Sequence, residues 1–384
     1  MSIRSKIKEY NFTTLALLLA GLFLFLYVVA RAWLVPMTWD ERFTLNEYIL
    51  KNQVFPVKYE MMSGNNHLLN TWLIWLLSKA FGTGLFVMRL PNVIAYVFFL
   101  FLTAKIVRQI KPGALQVMAF LIVNLNPFMI DFFSLARGYG ISLSLFIASI
   151  YYLFKSFYDE KENYKHAWLF ACIALLANMT LFYYSIALLC IILINKFFFR
   201  EKLNFNTYKT IILITTIILG FVIYHGIKLD ASGSLYYGGH DGFWYNTVNS
   251  LVYKSLYDMQ YSDFVQVPAK LLLLGVLATA AFAALRKNIL ERKNNFLSIL
   301  LFLLFFMTLL IVLANKIFGV AFLIERTAIY FLPLFSFILI FTFYYLTSLI
   351  KERYVLFFGF FVALCFMVHF FYCINFSYAL DWKT

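Results

Sequence analysis

Apolar runs of roughly 17 to 25 residues recur from one end of this chain to the other, and a helix of that length covers the ~30 Å hydrocarbon core of a bilayer. Backbone surrounded by lipid must satisfy its own hydrogen bonds, so such a chain folds as an all-α polytopic transmembrane bundle. Composition agrees: 63% of residues are hydrophobic and 13% charged, with a mean hydropathy of +0.81. Soluble domains carry about 25% charged residues. The runs predict about eleven spans, over residues 12–35, 90–108, 113–132, 136–155, 166–180, 181–199, 209–228, 269–285, 296–316, 327–350 and 354–374. The connection between the fifth and sixth holds no obvious turn residue. No small-residue cleavage site follows the first run, so it reads as a retained anchor rather than a secretory signal.

Charge orients the bundle. With the N-terminus inside, the short inner connections collect more than half of the 32 lysines and arginines, among them Lys105, Arg108, Lys111, Lys161, Arg200, Lys202, Arg286, Lys287, Arg292 and Lys293. The rest lie mostly in two long segments, 36–89 and 229–268, which therefore face outward. The formal charge of +14 reflects this inner collar against anionic lipid, and no basic–aromatic cluster resembles a nucleic-acid module. Cys172, Cys190, Cys365 and Cys373 sit within apolar runs without ligand spacing and read as small core residues.

The outward segment 36–89 is too polar for a span and too apolar for a free loop. "NNHLLNTWLIWLLSKAFG" sets Leu68, Leu69, Trp72, Trp75 and Leu76 along one face, which predicts an interfacial helix over 66–81. Two adjacent acids, Asp40 and Glu41, open the segment in "TWDERFTLNEY". A helix N-terminus capped by Thr38 or Asp40 explains one acid. It does not explain why other polar groups gather at the same level. Asn65, Asn66 and His67 begin the interfacial helix, Asp131 ends the third span, Arg137 and Tyr139 begin the fourth, and Glu325 and Arg326 begin the tenth. Ionisable groups at such depth are costly and mark a site. Asp131 lies close enough in sequence to pair with Arg137.

"TWDE", "NNHLLNTWLIWLLSKAFG", "MRLPNVIAYVFFLF", "NPFMIDFFSLARGYGISLSLF" and "ERTAIYFLPLF" resemble, in this order and spacing, the GT-C class of membrane glycosyltransferases. That class includes protein O-mannosyltransferases and the aminoarabinose transferases that modify lipid A, which use dolichyl- or undecaprenyl-phosphate sugars. The resemblance covers residues 12–200 well and 322–335 moderately, dividing the chain into a GT-C transmembrane module over 1–200 and a variable one over 201–384. It implies that Asp40 and Glu41 are the acids acting at the acceptor and that His67 falls on the family's histidine. Leu68 and Leu69 stand where the family has two prolines. Arg137 and Tyr139 match a basic and aromatic pair lining the pocket. The enzymes it resembles carry a further external domain after the membrane part, whereas the sequence in hand ends at "SYALDWKT".

Orientation restricts the donor independently. Nucleotide sugars are cytosolic, so an outward-facing transferase takes its sugar from a carrier that crosses the bilayer, and a polyprenyl-phosphate sugar meets that need. Phosphate is a good leaving group. The protein must then supply positive charge at the phosphate, for which Arg137 and Arg326 are candidates, and a base for the acceptor hydroxyl or amine, for which Asp40 is the candidate. Asn66, His67 and Tyr139 would line the substrate site, and single displacement would invert the anomeric centre. The acceptor is a lipid, glycan or protein. No DxD or HxxxH spacing indicates a metal; abundant Phe, Ile, Lys, Asn and Tyr suggest an AT-rich bacterial genome, and with it a bacterial cytoplasmic (inner) membrane with the site on its outer face. Three other readings compete. A transporter or flippase of lipid-linked sugars would show internal repeats, and none is visible. A glycan polymerase or ligase would place its basic residues in a large late loop. A silent scaffold would not require Asp40, Arg137 and Tyr139.

Overall fold

The apolar runs become helices, and several breaks fall at proline, glycine or asparagine, as at Pro36, Asn126–Pro127, Asn178 and Gly319. A computed structural model describes residues 3–55, 63–158, 163–199, 205–234, 237–291 and 295–383. Of the inner basic collar, Lys161, Arg200, Lys202, Arg292 and Lys293 lie outside the described residues, as does Tyr236 of the late external segment. Helix α1 (Ile3–Leu34) stops short of Pro36, and α2 (Trp39–Phe43) follows and continues as a π-helical turn over Thr44–Ile49. Then come α3 (Leu68–Phe81), α4 (Leu85–Val107), α5 (Gly113–Asn124) and α6 (Pro127–Asp131). The Asn126 side chain caps α6 by accepting from the Met129 amide at 3.0 Å, with proline at the first helical position.

Helices α7 (Gly138–Tyr158), α8 (Tyr164–Ala177), α9 (Phe182–Phe199), α10 (Phe205–Ile214) and α11 (Gly220–Ala231) continue the bundle. The turn between α8 and α9, for which the sequence shows no glycine or proline, is made by Asn178. Its backbone is extended, and its side-chain oxygen accepts from the Thr180 amide at 3.2 Å and the Thr180 hydroxyl at 2.9 Å. After α12 (Asn249–Ser255) come α13 (Ser262–Glu291), α14 (Phe296–Phe318), α15 (Phe331–Leu346) and α16 (Glu352–Cys373). Gly319, at φ 68°, ends α14 in the left-handed conformation that favours glycine.

Each of the eleven expected spans overlaps a helix, but the third, 113–132, breaks at Asn126–Pro127 into α5 and the short α6. Among the described residues, seven helices are long and apolar enough to cross a membrane, and α3, α5, α8, α9 and α15 supply shorter apolar stretches. Their outer faces carry exposed Leu18, Phe98, Leu271, Phe282, Phe305 and Phe357, the reverse of a soluble surface. Inside, one apolar cluster extends from Leu17 to Leu380.

Contacts between connections show that alternate helix ends meet at one end of the bundle. The Thr180 hydroxyl donates to the Thr327 carbonyl at 2.7 Å, Thr247 to the Leu323 carbonyl at 2.6 Å, and the Leu380 amide to Asp131 at 2.8 Å. Helix α3 both begins and ends there. Its start touches the first residues of α7, through Asn70 donating to the Ala136 carbonyl at 3.0 Å, and its last residue precedes Leu85 of α4 by a short Gly82–Gly84 turn. At fourteen residues α3 is as long as α8 and longer than α5, so what sets it apart is that both of its ends lie at this one end of the bundle. As a result, α3 leaves the up–down alternation of the longer helices intact.

Candidate active site

Asp40 and Glu41 have different surroundings. Thr38 caps α2 by accepting from the Glu41 amide at 3.3 Å, and the Glu41 carboxylate accepts in return from the Thr38 amide at 2.9 Å, completing a capping box. The same carboxylate receives Arg89 Nε at 2.8 Å, Arg89 Nη2 at 2.7 Å and the Ala136 amide at 2.7 Å. Arg89, wholly buried, also donates to the carbonyls of Ala32, Val35 and Pro36 at 3.2, 2.7 and 2.9 Å, and so satisfies the free C-terminal end of α1. Glu41 therefore joins α1, α2, α4 and the start of α7, and no face of its carboxylate is left for a substrate. Four donors surround the Glu41 carboxylate, an arrangement that fixes the α2 turn beside it.

Asp40 is held far less. Among the described residues its carboxylate has one ion-pair partner, Arg137 Nη2 at 3.4 Å. Arg137, almost entirely buried, donates through Nη1 to the Asn65 carbonyl at 3.2 Å and leaves its Nε without a partner. The expected Asp131–Arg137 pair does not form. Asp131 instead pairs with Arg31 of α1 at 2.6 Å and accepts from the Tyr257 hydroxyl at 2.9 Å and from the Leu380 amide. Arg31 then donates to the carbonyls of Asn375 and Tyr378 at 2.6 and 2.9 Å, fastening the C-terminal segment to this end of the bundle.

His67 comes beside Arg137 because two backbones approach closely. A Cβ on Gly138 would lie 2.2 Å from the Ala177 carbonyl oxygen and 2.6 Å from the His67 Cβ, so the glycine after Arg137 is required for contact. His67 Nδ1 donates to the Ala177 carbonyl at 2.8 Å, while among the described residues the buried Nε2 has no partner. Burial, with Arg137 and then Arg326 near, lowers the His67 pKa well below its ordinary value, so Nε2 is a bare acceptor in the neutral ring. The ring meets Tyr139 edge-on at 4.6 Å. Asn66 accepts from the Thr71 hydroxyl at 2.8 Å, and among the described residues its buried Nδ2 has no partner. Unpaired donors of Asn65, Asn66 and Arg137 thus collect beside Asp40, an arrangement that suits an anion or a sugar.

Arg326 belongs to a second charged group on the other side of Tyr139. It lies in the 3₁₀ turn Glu325–Ala328, pairs with Asp381 at 3.2 Å, and stacks under the rings of Tyr237 and Trp382 at 4.4 and 5.3 Å. Lys254 reaches the same Asp381 at 3.1 Å and Glu325 at 3.5 Å. Burial raises the pKa of Asp381 against the opposing pull of Lys254 and Arg326. Tyr139 packs against the His67 ring at 4.6 Å and the Phe132 ring at 4.9 Å, and Phe132 meets Trp382 at 6.1 Å, so a run of rings joins the two groups.

Sequence reading passed over Arg89, Arg31, Lys254 and Asp381. Arg31 in "ARAWL" and Arg89 in "MRLPN" were detectable as charges set into apolar runs. Asp381, in the terminal "ALDWKT", gave no such signal. Among the described residues, no group of three His, Cys, Asp or Glu side chains is placed to hold a metal ion.

Residues 66–225 match the family of dolichyl-phosphate-mannose-protein mannosyltransferases. No curated protein and no solved structure matches the chain. The matched segment contains Asn66, His67, Arg89, Asp131, Arg137 and Tyr139, follows Asp40 and Glu41, and ends before Lys254 and Arg326. The GT-C resemblance of the motifs is borne out over this segment.

Proposed function

We propose that this protein is a membrane glycosyltransferase that moves a sugar from a polyprenyl-phosphate carrier to a lipid, glycan or protein acceptor at the outer face of a bacterial cytoplasmic membrane. The family match supports the class and the lipid-linked donor. The observation that carries the assignment of the base is the contrast among the buried acids. Glu41 receives four hydrogen bonds, Asp131 and Asp381 each face two cations or several donors, and Asp40 keeps one long contact to Arg137.

In this reading Asp40 takes the proton of the acceptor hydroxyl or amine as that atom bonds to the anomeric carbon. The bond from that carbon to the phosphate oxygen breaks at the same time, and polyprenyl phosphate leaves with the electron pair. Attack from the face opposite the leaving group inverts the centre. Arg137 holds Asp40 in place and, with the free Asn66 amide, faces the sugar-phosphate, while Arg326 neutralises the phosphate. Tyr139 and His67 form the aromatic wall beside the sugar, and Nε2 of neutral His67 accepts from a sugar hydroxyl. Glu41, through Arg89, positions the α2 turn that carries Asp40. Residues 1–200 then supply the base and the sugar wall, and 201–384 the phosphate side.

Native mass spectrometry of the protein purified in mild detergent tests the reading. A copurifying polyprenyl-phosphate sugar, exchanged for polyprenyl phosphate when acceptor is added, is expected. Transport of intact lipid-linked sugar across vesicles, without any transfer, would replace the enzyme by a flippase.

A further inference from the structure

The charged group beyond Tyr139 has a feature that ion pairing for stability does not explain. Two cations from separate elements, Lys254 of α12 and Arg326 of the 3₁₀ turn, converge on the two oxygens of a single carboxylate, Asp381, at 3.1 and 3.2 Å. The carboxylate is 1% exposed, whereas Lys254 and Arg326 keep 13% and 19% of their side chains open. Such a pair gains little over an apolar replacement, because desolvation cancels most of the attraction. What it does achieve is to hold two cations together, spaced for a two-oxygen anion. The non-bridging oxygens of a phosphodiester present the same pair of acceptors and the same single negative charge. Asp381 lies on a short turn, Leu380–Trp382, near the chain's end, held by the Leu380 amide on Asp131 and the Trp382 ring against Phe132 at 6.1 Å.

Building on the glycosyltransferase reading, we propose that Lys254 and Arg326 form a two-cation clamp for the phosphate of the lipid-linked donor, and that Asp381 is the internal counter-ion which the phosphate displaces. The exchange conserves charge when donor enters, since one monoanion replaces another. Transfer converts the diester to polyprenyl phosphate, a monoester carrying about −1.5 to −2 charges at neutral pH, which the clamp holds more tightly than donor. Return of Asp381 to Lys254 and Arg326 then opposes product retention. Lys254 is thus a further phosphate-binding residue, and Asp381 sets how readily product leaves.

The test is titration of the detergent-solubilised full chain with farnesyl phosphate, a short polyprenyl phosphate, read by heat of binding and by inhibition of transfer. Lys254→Gln should weaken binding by about tenfold or more, the loss of one charge-assisted hydrogen bond to phosphate. Lys254→Arg should restore it. Asp381→Asn should tighten binding several-fold and deepen inhibition by farnesyl phosphate, and this gain should vanish when combined with Lys254→Gln. Unchanged affinity in Lys254→Gln, or weaker affinity in Asp381→Asn with the melting temperature preserved, overturns the clamp while leaving the transferase reading in place. A wild-type protein that binds no farnesyl phosphate overturns both.

Discussion

Replacing Glu41 by Gln, which changes one atom and one charge, separates scaffold from chemistry at the acid pair. Arg89 Nε and the Ala136 amide both point at one carboxylate oxygen of Glu41, and Arg89 Nη2 and the Thr38 amide at the other. A glutamine offers one oxygen and one NH₂, so whichever way it turns, two donors face a donor and Arg89 is left buried without an opposite charge. The three carbonyls around Arg89 remain, and they limit the damage without neutralising it. Breaking one partner of a buried ion pair costs about 3–5 kcal/mol. With an unfolding entropy of about 2.1 cal/mol/K per residue, 384 residues give about 0.8 kcal/mol/K, so the melting temperature should fall by about 4–6 °C. Asp40→Asn removes a single 3.4 Å contact whose geometry an amide oxygen can still serve, and should shift it by less. Scanning fluorimetry of both variants in one detergent reads the difference. Equal shifts, or a larger one for Asp40→Asn, would show that the two acids have been assigned the wrong way round.

Gly138→Ala should disrupt the approach of His67 to α7, since the new methyl would meet the Ala177 carbonyl oxygen at 2.2 Å; donor binding should fall more than in Gly82→Ala, where space is open but the backbone is strained at φ 80°. The His67 ring stays neutral when folded while the unfolded chain takes up a proton below about pH 6.5, so this residue lowers stability as pH falls from about 6.5 towards its folded pKa and contributes nothing above. His67→Gln should therefore flatten the loss of melting temperature between pH 7 and 5, by up to about 1.4 kcal/mol per pH unit, and an unaltered slope contradicts a neutral buried ring. Cysteines at the exposed positions 46 and 351, on opposite ends of the bundle, should label with an impermeant reagent from opposite sides of the membrane; labelling of both from one side refutes the topology.

Helix positions were legible because lipid demands long apolar runs, although the run at 113–132 divides at Asn126–Pro127 into α5 and α6. The return of α3 to the end of the bundle where it begins was not legible from its length, since α8 is as short and α5 shorter. At the site, Asp40, Asn66, His67, Arg137 and Tyr139 were readable because polar groups at one membrane level stand out against an apolar background. Their partners were not. Sequence proximity suggested Asp131 with Arg137, but the start of α7 turns Arg137 towards Asn65 and Asp40 and leaves Asp131 facing Arg31, 100 residues away in the chain. That choice depends on how α1, α4 and α7 pack, which no local pattern records. Asp381 escaped notice for a related reason: its importance arises only when the C-terminal segment folds back under Arg326.

Transfer by Asp40→Asn enzyme from a polyprenyl-phosphate sugar, measured alongside donor binding, tests the central claim most directly. The amide keeps the shape of the side chain and a hydrogen bond to Arg137 but cannot take a proton. Loss of a general base lowers the rate by about 10²- to 10⁴-fold, so transfer should fall by that amount while the donor still binds and the protein still melts near the wild-type temperature. An Asp40→Asn enzyme that transfers sugar at close to the wild-type rate would contradict the account, because the acid would then be serving the α2 turn and not the reaction.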